Sequence, residues 1–152
     1  MFRRTPCVGI CSTTFGDLVC RGCKRFAHEI VQWNAYDADQ RRAVWQRLLT
    51  LRAGAVAALL RIRDEALLRE QAERAGLRPD DSLAAENVLY ELLQRVRWRE
   101  PAVTLEALGV ELAPGARLHL EALPETVLAA IDQEFYVRSL AHYERNYRIP
   151  AS

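Results

Sequence analysis

The chain has 152 residues, 50% of them hydrophobic and 27% charged, with a net charge of +1. That balance is ordinary for a soluble globular protein, and the length suits one domain or one domain with a small appendage. The opening MFRRTPC has no apolar run behind it, which predicts no secretory leader, and the most apolar stretch, AGAVAALL at residues 53–60, is too short to span a bilayer. The expected setting is the cytoplasm, where thiols stay reduced and clustered cysteines bind metal more often than they pair.

In chain order, the first feature is CVGICSTTFGDLVCRGC, residues 7–23, which holds all four cysteines. A short helix is predicted from Lys24 to Trp33, with Phe26, Ile30 and Trp33 on one face, and residues 34–36 interrupt it. Asp37 and Gln40 then form a capping-box start for a helix carrying Val44, Leu48 and Leu51, widened by Trp45 and Leu49. Gly54 ends or weakens that helix. The pattern of Val56, Leu59, Leu60, Leu67 and Leu68 continues as helix to Ala75, with Gly76 as a stop and Pro79 beyond it.

Asp81 or Ser82 is the expected cap of a helix over 83–97, followed by a loop at Arg99, Glu100 and Pro101. VEL, APGA and RLHL, within residues 110–120, predict a small hairpin, and Pro124 suits the first turn of a last helix through Val127, Leu128, Ile131, Phe135 and Leu140. The fold expected is mainly α: an N-terminal four-cysteine metal knuckle packed on a helical domain, with one β-hairpin near 110–120. The division expected is a metal-binding module with two helices at 1–52 and a helical domain at 53–152.

The cysteine spacing is C-x3-C-x8-C-x2-C. Two residues between Cys20 and Cys23 let a tight turn aim both sulfurs at one ion, with Gly22 available for a positive φ. Cys23 at the start of the following helix is expected to favour its thiolate. The segment STTFGDLV can turn near Gly16 and Asp17 and bring Cys7 and Cys11 back over the second pair. A closed tetrahedral zinc site comes first among the readings, an iron–sulfur cluster second, and disulfides or unrelated thiols last.

PCVGIC, then GDLVCRGC, then Arg25, Glu29, Ile30 and Trp33 in R-x3-E-I-x2-W, and the downstream QRRAVWQRL resemble the bacterial family called domain of unknown function 1289. This family includes the YdhL-like predicted iron–sulfur proteins. The resemblance covers about residues 5–52 and implies Cys7, Cys11, Cys20 and Cys23 as metal ligands. Lys24, Phe26 and His28 depart from the family's expected residue types, and none of these departures removes a ligand. The family carries no established reaction, and nothing comparable marks residues 53–152.

Charge is distributed unevenly. Residues 1–63 hold 11 basic residues against Asp17, Glu29, Asp37 and Asp39, whereas the remainder is net acidic. A basic half can face RNA or an acidic protein, and Arg21, Lys24 and Arg25 beside the cysteines are the candidate contacts. The blander reading is that these charges are solvated or paired within the chain.

His28 is the histidine nearest the cysteines, but four thiols already fill a tetrahedron. No second histidine follows HEIVQ at metalloprotease spacing, and no nucleophile motif or phosphate-binding glycine loop occurs. Trp33, Tyr36 and Trp45 could stack bases, and Tyr136, Tyr143 and Tyr147 share a helical face; packing is the commoner use of both sets. The sequence thus predicts no catalytic residue. It predicts a tetracysteine metal-binding module, zinc ahead of iron–sulfur, for a protein or RNA partner. The alternative is an iron–sulfur protein in electron transfer or redox sensing.

Overall fold

Asp37 and Gln40 exchange hydrogen bonds as a capping box: Asp37 Oδ1 accepts from the Gln40 amide at 2.8 Å, and Gln40 Oε1 accepts from the Asp37 amide at 2.9 Å. In the computed structural model, which describes residues 5–9, 11–116 and 123–147, a short helix α1, Ala27–Gln32, precedes this box and α2, Ala38–Leu59, follows it. The break between them is a 3-10 turn, Trp33–Ala35. Gly54 does not end α2. Alanines flank it on both sides, and one interior glycine costs only about 1 kcal/mol, which a helix of this length absorbs.

The helical pattern expected across residues 56–75 is interrupted. Leu60–Ile62 is a strand, β1, paired antiparallel with β2, Val110–Leu112, in the register Leu60↔Leu112, Arg61↔Glu111, Ile62↔Val110. The local pattern explains it: Leu60 and Ile62 alternate with Arg61 and Arg63, a period of two that the surrounding leucines mask. Both arginines reach Glu111, at 3.9 and 3.7 Å. The expected hairpin thus has its first arm in place, but the partner of that arm comes from residues 60–62; the expected second arm, at 117–120, lies outside the described residues.

Asp64, and not an earlier residue, starts α3, Glu65–Arg74, by accepting from the Leu67 amide at 3.0 Å. Gly76 ends it as expected. At φ 84° it lets its own amide reach Glu73 O and the Leu77 amide reach Ala72 O, which satisfies two terminal carbonyls. Asp80, rather than Asp81 or Ser82, organises the next turn, accepting from the Ser82 amide at 2.9 Å. Helix α4, Ala85–Val96, then buries Val88, Leu89, Leu92, Leu93 and Val96 on one stripe. The last helix, α5, spans Pro124–Tyr147, with proline in its first turn as expected. Among the described residues the structure is mainly α, with one small two-stranded antiparallel sheet.

The described residues form two compact units: Arg52–Gln133, and the residues up to Leu51 together with those from Glu134 onward. The divisions fall inside α2 and α5. In the first unit α3 packs on α4. Arg52 donates to Asn87 Oδ1 at 2.7 Å and Glu91 Oε1 at 3.0 Å, with its guanidinium 4.4 Å from the Tyr90 ring centre. Tyr90 donates its hydroxyl to Asp132 Oδ1 at 2.7 Å, and burial, then the Asp132 carboxylate, push its ionisation far up.

Gly109 joins β2 to the rest of this unit. At φ 76°, its carbonyl accepts from the amides of Arg63 and Asp64, and a Cβ there would lie 2.7 Å from Asp64 O. Gly115, at φ 82°, has open space around it. Gly109→Ala should therefore cost at least about 2 kcal/mol, left-handed strain plus a backbone clash, and Gly115→Ala only about 1 kcal/mol. Urea titration of the two variants checks this, and equal losses would show that the approach of Asp64 does not matter.

Candidate metal centre

The cysteine segment folds through its turns. Cys11 is extended and leads into a 3-10 turn, Ser12–Phe15, which Gly16 closes at φ 97°. Residues 18–27 then double back: the Ala27 amide reaches Leu18 O at 2.8 Å, the Cys20 amide reaches Arg25 O at 2.9 Å, and Val19 bridges Phe26. The tip of this narrow loop is Cys20-Arg21-Gly22-Cys23-Lys24, closed by the Lys24 amide on Cys20 O at 2.9 Å. Lys24, at φ 64°, is the left-handed residue of the turn, the role expected of Gly22. Helix α1 begins only at Ala27, so Cys23 does not sit at a helix start as expected.

Each thiol has its own surroundings. Cys20 is fully buried. Burial pushes its thiol up, but the backbone amides of Cys23, Ser12 and Gly22, with the Cys23 side chain, outweigh burial and hold it below the usual thiol range. Cys23 goes the other way: burial raises it, against the opposing pull of Arg25, whose Nε donates to Cys23 Sγ at 3.3 Å. Cys11 is lowered, first by its contact with Thr13 Oγ1 at 2.9 Å. Cys7 is exposed, with the Gly9 amide 3.4 Å from its sulfur.

Ser12 ties the two halves of the motif together. Its amide serves Cys20, and its Oγ accepts from the Arg21 amide at 2.8 Å. The four thiols are nevertheless not gathered into one ligand sphere: among the described residues no group of three or more His, Cys, Asp or Glu side chains is placed to hold a metal ion. The donor chemistry does fit a thiophilic centre. All candidate ligands are thiols, and Cys20 sits in a cradle of amides suited to a thiolate.

The three candidate contact residues separate. Lys24 and Arg25 are each only 4% exposed. Lys24 donates to Gly22 O at 2.9 Å and lies 5.2 Å from the Phe135 ring centre, and the Arg25 guanidinium covers Trp33 at 4.9 Å. Burial with internal partners removes both as contacts for a partner. Arg21 is exposed, pairs with Asp17 at 3.4 Å and lies 4.6 Å over Tyr136. Trp33 is buried between Arg25 and Arg41 and offers no free face to a base, and Trp45 is half-buried. His28 is exposed and faces Phe26 and Tyr147.

Glu29, noted in the sequence only as part of the R-x3-E-I-x2-W run and among the acids of the first 63 residues, has a structural role that the sequence left unassigned. Its Oε1 accepts from the Phe26 amide at 2.8 Å, and its two oxygens take Arg47 at 2.6 and 2.5 Å. The Arg47 guanidinium lies 4.0 Å from the Phe26 ring centre, and Tyr143 and Tyr147 meet the same ring edge-on at 5.1 and 5.2 Å. Two of the three tyrosines of the expected stripe thus close this unit's own core. The signal for Glu29 was its place three residues after Phe26, where a carboxylate reaches back to a helix start.

Residues 5–52, a third of the chain, match the model of the family described as protein of unknown function (DUF1289), which the four cysteines and the R-x3-E-I-x2-W run anticipate. No curated protein and no solved structure matches the chain.

Removing Arg47 would leave the Glu29 carboxylate buried and half satisfied. Arg47→Met should destabilise the protein by about 3–5 kcal/mol, and Glu29→Gln with Arg47→Met together should cost less than the two changes summed. Additive losses in denaturant titrations would show that the pair is not coupled.

His142 stacks on Phe26 at 6.1 Å. Burial first, then Arg47 and Arg145, lower its pKa from 6.5, while Glu29 opposes them. A lowered histidine contributes nothing above its unfolded pKa, where both states are neutral. As pH falls through 6.5 the unfolded chain takes the proton first, so stability declines until the folded state is also protonated. Thermal midpoints measured from pH 7.5 down to 5 should fall less steeply in His142→Gln than in the parent.

Proposed function

We propose that the protein binds one metal centre through Cys7, Cys11, Cys20 and Cys23, and that it acts as a non-enzymatic binding module, zinc being favoured over an iron–sulfur cluster. The observation that carries this reading is the tight turn that holds Cys20 and Cys23 together, closed by the Lys24 amide on Cys20 O at 2.9 Å, with the backbone amides of Cys23, Ser12 and Gly22 lowering the Cys20 thiol. Such amides spread the charge of a thiolate, and four thiolates on a divalent ion leave a net −2 that needs this support. Arg25 at Cys23 adds to it. Cys7 and Cys11 supply the remaining donors from the segment before the turn.

The rest of that segment gives the centre its purpose. Val8, Phe15 and Leu18 point into solvent, Phe15 at 90% exposure, so the described residues among 7–18 bury little apolar surface to order themselves. A tetrathiolate zinc site provides on the order of 10 kcal/mol in small modules, enough to fix the segment without a core. The same exposed apolar tip, beside Arg21, is the surface this reading offers to a protein partner. No helix among the described residues is long and apolar enough to cross a membrane. The cytoplasm suits thiols that must stay reduced.

An iron–sulfur centre draws on the same donors, since hydrogen bonds to cluster sulfurs are what tune its potential. Anaerobic purification followed by metal analysis and a visible spectrum decides between them: a colourless zinc protein is expected, and a brown iron-containing one supports the electron-transfer or redox-sensing reading. Cys20→Ser with Cys23→Ser should abolish metal content and remove amide-exchange protection from residues 18–36, with most helical circular dichroism kept. Full metal occupancy in that double variant would sink the reading.

A further inference from the structure

Exposed arginines elsewhere in the described residues are commonly paired with acids: Arg21 with Asp17, Arg42 with Asp39, Arg61 and Arg63 with Glu111, Arg74 with Glu70, Arg138 with Glu134. The end of α4 is different. Arg95, Arg97 and Arg99 are exposed, as is Arg78, and none of the four forms an ion pair with a described carboxylate. Arg95 donates to Ala75 O at 3.4 Å, so the end of α4 lies against the end of α3, three residues before Arg78. Trp98, between Arg97 and Arg99 in the chain, is 71% exposed, with the Arg97 guanidinium 5.2 Å from its ring centre.

Basic residues at a helix C-terminus are favoured by the dipole, which accounts for Arg95 and Arg97 alone. It does not account for an indole left in water between two arginines. Even with Arg97 against its indole, Trp98 keeps 71% of its surface exposed, and cations with no ion pair to a described carboxylate lie on the neighbouring residues. We propose that Trp98 with Arg78, Arg95, Arg97 and Arg99 is a docking surface for single-stranded nucleic acid: a base stacks on the indole and the arginines hold the phosphates on either side. The charge complements a phosphate chain, and Glu100 is the one carboxylate in the stretch 95–100. A lipid surface fits less well, since interfacial anchoring needs several apolar groups and Trp98 is the only large one exposed here. This site lies in the 52–133 unit and does not depend on the cysteines.

The test titrates the full-length metal-loaded chain against a labelled short single-stranded RNA of mixed sequence and the DNA of the same sequence. Heparin serves as a polyanion without bases, and anionic phospholipid vesicles as the lipid arm. Trp98→Ala should weaken binding of the single strands about 5- to 100-fold, and Trp98→Phe should retain most of it. Arg97→Gln with Arg99→Gln should lower the slope of log affinity against log salt by about 1.4. Heparin should bind with no dependence on Trp98. Circular dichroism checks that each variant folds, which the exposure of these side chains favours. The proposal is overturned by no binding at low salt, by strand binding that is indifferent to Trp98→Ala, or by Trp98-dependent binding to vesicles alone. Metal content of the cysteine variants is read separately, so either reading can fail while the other stands.

Discussion

Glu29 sits at the point where the cysteine turn becomes a helix, and nearly everything around it is set by what its carboxylate accepts. It takes the amide that opens α1 and both outer nitrogens of Arg47, while only 3% exposed. A carboxylate in that position is tolerable only with its cation in place, because a lone buried charge costs several kcal/mol. Arg47 is therefore fixed, and a fixed guanidinium forms one wall of the pocket that holds the Phe26 ring. The tyrosines near the end of α5 form another. Phe26 lies three residues beyond Cys23, so the aromatic core anchors one end of the cysteine loop, whereas at the other end the described residues Cys7, Val8 and Gly9 are exposed. That imbalance is the physical case for a metal.

Arginine is the common material of these contacts. Only one of the 21 basic residues is lysine, and arginine faces cover Phe26, Trp33, Tyr90 and Tyr136. A guanidinium can stack by its plane and donate by its edge at the same time, as Arg52 does on Tyr90, Asn87 and Glu91. Much of the basic character of the first 63 residues is thus turned inward, onto aromatic rings and local acids. Net charge by segment was a poor guide to surface charge, and the unpaired cations stand out at the end of α4 instead.

The helices were legible because their signals are local. The Asp37–Gln40 box, the Gly76 stop and the Pro124 start each work through hydrogen bonds or dihedrals a few residues away. The small sheet was only half legible, since Leu60–Ile62 pairs with residues 50 positions further on and its three residues sit among leucines that read as helix. The assignment of positive φ to Gly22 failed for a related reason: the turn is closed by the Lys24 amide on Cys20, which moves the left-handed position two residues along. The cysteines could be named from spacing, but which were buried, and Lys24 and Arg25 with them, depended on rings supplied by Phe135 and Trp33.

Lys24 has a practical corollary. It is the only lysine, its amine is held against Gly22 O and Phe135, and the residue is almost wholly covered. Apart from the chain's α-amino group, an amine-directed acylating reagent has one target, and it reaches that target when the cysteine turn opens. The rate of acylation at Nζ, compared with that of a free lysine, therefore measures the free energy of that local opening without a probe being added. A protein so poor in lysine also presents little to amine-based immobilisation, so covalent capture through this side chain selects molecules whose turn is already undone.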